Sequence, residues 1–122
     1  MNKKIMIVDD DPDILITLRN FLEVQGYEVF TVDSGEDCIE ELKRGFKGIV
    51  LMDLIMPFMD GIDTLKSIVK KGLDKDNVFS IITANGDPDT DRISGLGPYI
   101  YTYITKPFNL EKLITDLDNI YK

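Results

Sequence analysis

The 122-residue chain contains no histidine. That removes Ser/His/Asp and Cys/His catalysis, and histidine metal ligation with them. Chemistry is left to carboxylates, lysine, hydroxyls and a borrowed metal. Cysteine occurs once, as Cys38, so an intrachain disulfide and a thiolate metal cluster are both excluded. Cys38 falls in a helical pattern as a small core residue, which fits a reducing, cytoplasmic compartment. Long hydrophobic runs are also missing. After Lys3 and Lys4 only Ile5-Met6-Ile7-Val8 precedes Asp9, too short for a signal-peptide core or a membrane span. Basic residues are few: 14 against 22 acidic ones, a net charge of −8. An acidic surface repels phosphate backbones and anionic lipid, so direct nucleic-acid or membrane contact is disfavoured.

What remains suits one compact domain spanning residues 1–122, with 43% apolar residues for a core and 30% charged residues for a solvated surface. Ile5–Val8 reads as a buried strand with acids at its C-terminal end. Pro12 fits a helix's first turn, Ile14, Leu18, Phe21 and Leu22 recur at helical spacing, and Gly26 ends the helix. Tyr27–Val32 reads as a second strand, and Ser34 caps a helix carrying Cys38, Ile39 and Leu42. Ile49–Met52 is a third apolar strand ending in Asp53. Ile62, Leu65, Ile68 and Val69 mark a third helix. Val78–Ile82 is a fourth strand ending at Thr83. Pro88–Leu96 is a short helix candidate, weakened by its glycines and prolines. Ile100–Ile104 is a fifth strand before Thr105-Lys106-Pro107, and Leu110, Leu113, Ile114, Leu117 and Ile120 mark a final amphipathic helix.

A βα unit repeated five times implies an α/β fold, a parallel sheet with helices on both faces. Functional groups in such sheets collect at the C-terminal strand edge, near the switch point. Asp9 and Asp10, Asp53, Thr83 and Lys106 all follow strands and should converge there. Singly, each has a bland reading as a turn acid, a strand-end acid, a β-former and a surface lysine. Together they suit phosphoryl transfer to a carboxylate. Crowded acids call for a hard divalent cation, and Mg²⁺ takes one or two carboxylates plus waters and phosphate oxygens. Asp53 would be the nucleophile, and Mg²⁺ and Lys106 would offset charge on the transferring group. Lacking histidine, the chain would need a phosphohistidine donor on another protein. Rival motifs fail: Asp87, Asp89 and Asp91 start like a calcium loop but Arg92 stands where glycine is required, Asp9, Asp11 and Asp13 meet Ile14 there, and Gly95-Leu96-Gly97 lacks phosphate-loop spacing.

Four stretches in order carry a resemblance over nearly the whole chain. They are Ile7-Val8-Asp9-Asp10-Asp11-Pro12; Met52-Asp53-Leu54-Ile55-Met56-Pro57 with Met59-Asp60-Gly61; Ile82-Thr83-Ala84; and Tyr103-Ile104-Thr105-Lys106-Pro107-Phe108. The sequence resembles the response-regulator receiver domains of two-component signalling, of the chemotaxis-regulator type. The resemblance implies a flavodoxin-like (βα)5 three-layer sandwich with a five-stranded parallel sheet of order 2-1-3-4-5. It implies Asp53 as phosphoacceptor, and Mg²⁺ (Mn²⁺ able to substitute) held by Asp10, Asp53 and the Ile55 backbone carbonyl, with Asp9 acting through water. Lys106 would pair with the phosphoryl group, Thr83 would shift toward it, Tyr103 would turn inward as the switch aromatic, and a cis bond would precede Pro107. The implied partners are a sensor histidine kinase or histidine phosphotransfer protein, and an unidentified downstream protein target. No enzymatic activity is implied beyond the domain's own phosphorylation and dephosphorylation. The segment 85–98 departs from the family, where a longer fourth helix belongs to the usual output face.

Two competing functions stay open at this level: a small Mg²⁺-dependent phosphate-ester hydrolase, and a pseudo-receiver that is never phosphorylated. The first helix carries more apolar residues than one stripe can hide. Ile14 or Leu15 is expected to stay partly exposed and dock the donor helix, with Phe58 and Met59 joining it.

Overall fold

The computed structural model describes residues 3–56, 58–84 and 93–121. Five strands form one parallel sheet: β1 (Lys4–Val8), β2 (Glu28–Val32), β3 (Ile49–Asp53), β4 (Val78–Thr83) and β5 (Ile100–Thr105). Their order is β2-β1-β3-β4-β5. Four α-helices are found among the described residues: α1 (Pro12–Val24), α2 (Gly35–Lys43), α3 (Gly61–Lys70) and α4 (Leu110–Ile120). The expected helix at 88–96 lies largely outside the described residues. Its described end, 93–96, is a turn leading into a 3-10 helix, Gly97–Tyr99.

The apolar strand runs are continuous because both sheet faces are covered. Met6, Val8, Val50, Met52, Phe79 and Ile81 pack toward Cys38, Ile39 and Leu42 of α2 and Ile62, Leu65 and Ile68 of α3. The alternating residues Ile5, Ile7, Ile49, Leu51 and Ile82 meet Leu18 and Leu22 of α1 and Leu113 and Leu117 of α4. Cys38 is fully buried, and burial pushes its thiol up to about 12, so it stays protonated and inert.

Helix starts follow the capping chemistry in the sequence. Asp11 Oδ1 accepts from the Asp13 amide at 2.9 Å with Pro12 in the first turn of α1. Ser34, Asp60 and Asn109 cap α2, α3 and α4 in the same way. On α1 the surplus apolar residues divide: Ile14 and Leu15 are half-buried against the core, whereas Ile16 (59% exposed) and Val24 (82%) face solvent.

One long-range clamp ties α4 to the opposite end of the sheet. Tyr27 donates its hydroxyl to Asp118, and Tyr121 donates its own to the Lys4 carbonyl. The two rings sit 6.1 Å apart.

Candidate functional site

The chain leaves β1 for β2 on one side and returns to β3 on the other. The C-terminal ends of β1 and β3 are therefore neighbours at the switch point. Asp9 follows β1 directly, and Asp53 is the last residue of β3. Asp9 is held where it emerges: its amide donates to the Val32 carbonyl at 3.2 Å, and its Oδ1 accepts from the Asp11 amide at 2.9 Å. Asp53 Oδ1 accepts from the Ile55 amide at 3.1 Å, and the Leu54 amide bonds the Ile82 carbonyl at 2.9 Å.

Gly61 permits the tight approach of α3 to this edge. A Cβ there would lie 2.5 Å from the Asp53 carbonyl oxygen, a contact no side chain tolerates. The Gly61 amide instead bonds the Leu54 carbonyl at 2.9 Å, closing the loop that follows β3. In the sequence Gly61 is the last residue of the Met59-Asp60-Gly61 stretch; its role as the close-packing point beneath Asp53 becomes visible only in three dimensions.

Lys106 enters from the far side of β4. Its amide bonds the Thr83 carbonyl at 2.9 Å, extending the β4–β5 ladder by one residue, and its bond to Pro107 is cis. Its ammonium reaches back across the sheet edge, 3.3 Å from Asp9 Oδ2 and 3.2 Å from Asp53 Oδ2. Oxygens of Asp9, Asp10 and Asp53 all lie within 4.8 Å of one another. Asp9 and Asp53 are buried, and Asp10 is exposed at the mouth. Thr83 is buried at the end of β4. Tyr103 pairs in register with Ile81 and stands exposed on β5, as does Tyr101; Tyr99 is exposed at the end of the preceding 3-10 helix.

The electrostatics follow from this burial. Desolvation pushes the Asp9 carboxyl up; the Asp11 amide pulls it down, Asp53 raises it, and Lys106 lowers it, leaving it above its ordinary 3.8. For Lys106, burial pulls the ammonium down, but Asp53 and Asp9 outweigh that and leave it raised. Asp9 lifted beside its own ion-pair partner shows that a lysine only partly withdrawn from water undercompensates the burial of that carboxyl. The donor set consists of carboxylate oxygens only, which suits a hard, oxygen-seeking divalent cation at the open Asp10 side. Acids, lysine and threonine thus meet at one edge, as the strand order requires.

A family model for the response regulator receiver domain matches residues 5–118. The chain belongs to the response-regulator receiver domain family. Phosphorylation-activated switching in two-component signalling is the general function of that family.

The receiver domain is 36% identical over 120 residues to the "transcriptional regulatory protein CpxR homolog" of Haemophilus influenzae, covering 98% of this chain and 50% of that protein. It is 33% identical to the alkaline phosphatase synthesis transcriptional regulatory protein PhoP of Bacillus subtilis, covering 89% of this chain and 44% of that one. It thus spans about half the length of the curated relatives it matches. Among solved structures, a CheY-like response regulator receiver domain protein from Methanospirillum hungatei superposes with a TM-score of 0.90. The two are 41% identical, covering 97% of this chain and 93% of that one. No helix among the described residues of the receiver domain is long and apolar enough to cross a membrane.

Proposed function

We propose that residues 1–122 act as one receiver unit that takes a phosphoryl group onto Asp53 from a partner's phosphohistidine. The observation that carries this reading is the Lys106 bridge to Asp9 and Asp53, made across 97 and 53 residues of sequence beside Asp10. In the transfer, a carboxylate oxygen of Asp53 forms the new bond to phosphorus while the phosphorus–nitrogen bond of the donor histidine breaks, its electron pair staying on the imidazole. Asp10, Asp53 and the Ile55 carbonyl would hold Mg²⁺, or Mn²⁺ in its place, with Asp9 acting through water. Bound there, the cation supplies positive charge against the phosphoryl oxygens.

Lys106 is already charged and within reach of the Asp53 carboxylate, so it can pass from Asp9 and Asp53 to a phosphoryl oxygen without crossing the site. Thr83, at the end of the adjacent strand, offers a hydroxyl to a second oxygen. Each charge-assisted bond is worth about 1.5–3 kcal/mol net. Two approach the roughly 5.5 kcal/mol that swings a population from 1:99 to 99:1. Tyr103, exposed in the structure described, turns inward in the alternative state and carries the change to the surface between β4 and α4.

The domain catalyses only its own phosphorylation and dephosphorylation, works in the cytoplasm, and regulates a protein target. Its charge of −8 argues against nucleic-acid contact through these residues. The relatives are transcriptional regulators by name, and that description applies to proteins twice this length. The test is incubation with acetyl phosphate and Mg²⁺ followed by intact mass. Wild type should gain one phosphoryl group and Asp53→Asn none; sustained turnover of a separate phosphate monoester would point instead to a hydrolase.

A further inference from the structure

The loop between Asp53 and Gly61 carries a side chain that the fold does not use. Phe58 is fully exposed, and its backbone sits at φ 66°. Bulky residues rarely adopt this left-handed conformation, which strains them. The loop imposes it: the Leu54 amide is tied to Ile82, Gly61 is tied back to Leu54, and Asp60 caps α3. Asparagine or glycine would meet this geometry more easily. Among the described residues the other non-glycine residue with positive φ is Asp76, of a type that tolerates it. Phe58 therefore combines backbone strain with an unburied aromatic ring, and neither contributes to folding. Neighbouring Ile55 is 66% exposed. Beside Phe58, a small cleft of 110 Å³ is lined by Met59, Ser34, Gly35 and Glu36.

We propose that Phe58 is a docking residue that selects the phosphodonor protein, resting on the reading of Asp53 as phosphoacceptor. These residues include no histidine, so the donor imidazole must arrive from outside this domain. To bring that imidazole to Asp53, the donor must cover the loop Asp53 begins. Phe58 and Ile55 offer it an aromatic and an aliphatic contact, and the cleft admits one apolar side chain. Glu36 at the cleft, Asp10 at the site mouth and the net charge of −8 ask for basic residues around that apolar patch. The occupant is thus a histidine-bearing donor surface with an apolar centre and a basic rim. Exposed aromatics of this kind become binding hot spots once covered.

The experiment compares Phe58→Asn and Phe58→Tyr with wild type in three measurements. Asparagine keeps the left-handed backbone and removes the ring, whereas tyrosine keeps the ring. Thermal unfolding of Phe58→Asn should show a Tm equal to wild type or higher by about 2–4 °C. Phosphorylation by acetyl phosphate, too small to need the ring, should match wild type. Transfer from a histidine phosphotransfer domain charged with phosphoramidate, chosen from a panel because it phosphorylates wild type, should fall about tenfold through KM. Phe58→Tyr should transfer within about twofold of wild type. Unchanged protein-donor transfer in Phe58→Asn would overturn the docking role. So would equal losses with both donors, or a wild type that no panel member phosphorylates although acetyl phosphate does. A wild type inert to acetyl phosphate would strike the Asp53 assignment itself, a separate failure.

Discussion

Replacing Asp10 by asparagine should make the metal-free domain more stable. The Asp10 carboxylate has oxygens within 4.8 Å of those of Asp9 and Asp53. At that distance each like-charge pair costs about 0.9 kcal/mol in a water-like dielectric and about 3.5 kcal/mol at an effective dielectric of 20. Asp10 is exposed, so the lower figure applies, and two pairs sum to about 1.7 kcal/mol. Physiological salt screens part of it, leaving about 1 kcal/mol. For a domain of 122 residues, 1 kcal/mol moves Tm by about 4 °C. Thermal unfolding in chelator at low salt should therefore place Asp10→Asn about 4–7 °C above wild type, the gap narrowing as salt is added. Adding Mg²⁺ should reverse the order. A ligand at one hundred times its dissociation constant stabilises by about 2.7 kcal/mol, and the variant, lacking a ligand oxygen, gains less. A metal-free Tm at or below that of wild type would refute the crowded-carboxylate account of this site.

Two further substitutions test other parts of the reasoning. Lys106→Met leaves Asp9 and Asp53 buried without their cation. Breaking a buried pair costs about 3–5 kcal/mol, and with Lys106 26% exposed a loss of about 2 kcal/mol in metal-free urea unfolding is expected, together with slow phosphorylation. Tyr27→Phe removes the hydroxyl bond to Asp118 and should cost about 1–2 kcal/mol at neutral pH. Burial first, then Asp118, raises the Tyr27 phenol above its ordinary 10.0. The unfolded chain releases that proton at lower pH than the folded one, so wild-type stability should fall as pH rises above 10.0. Chemical unfolding across that window should show this alkaline component reduced in Tyr27→Phe.

Much of the fold was legible because its signals are local. Ile5–Val8 and Ile49–Met52 are apolar at every position, which only a sheet buried on both faces explains, and both cores are there. Ser34 stands where a helix cap belongs, and it caps α2. The alternation of strands with helices points to a parallel sheet, and the motif resemblance supplies its order, 2-1-3-4-5, which the structure adopts. That order brings the acids after β1 and β3 to the lysine after β5. Other readings depended on distant segments. On α1 the surplus of apolar residues points to Ile14 or Leu15 as partly exposed, and both are half-buried; packing also leaves Ile16 and Val24 facing solvent, which the helical period does not single out.

The chain's own order of residue types determined which elements form, where the helices begin, and which strands end in chemistry. Those properties need only neighbours a few positions away. Tertiary structure alone decided the fates of three adjacent aspartates: Asp9 buried against Lys106, Asp10 open at the mouth, Asp11 spent on a helix cap. It also decided the strained, outward Phe58 and the Tyr27–Asp118 clamp across 91 residues. Burial and long-range pairing depend on what the rest of the chain packs overhead. Identical residues in a row therefore acquire different surroundings, partners and tasks.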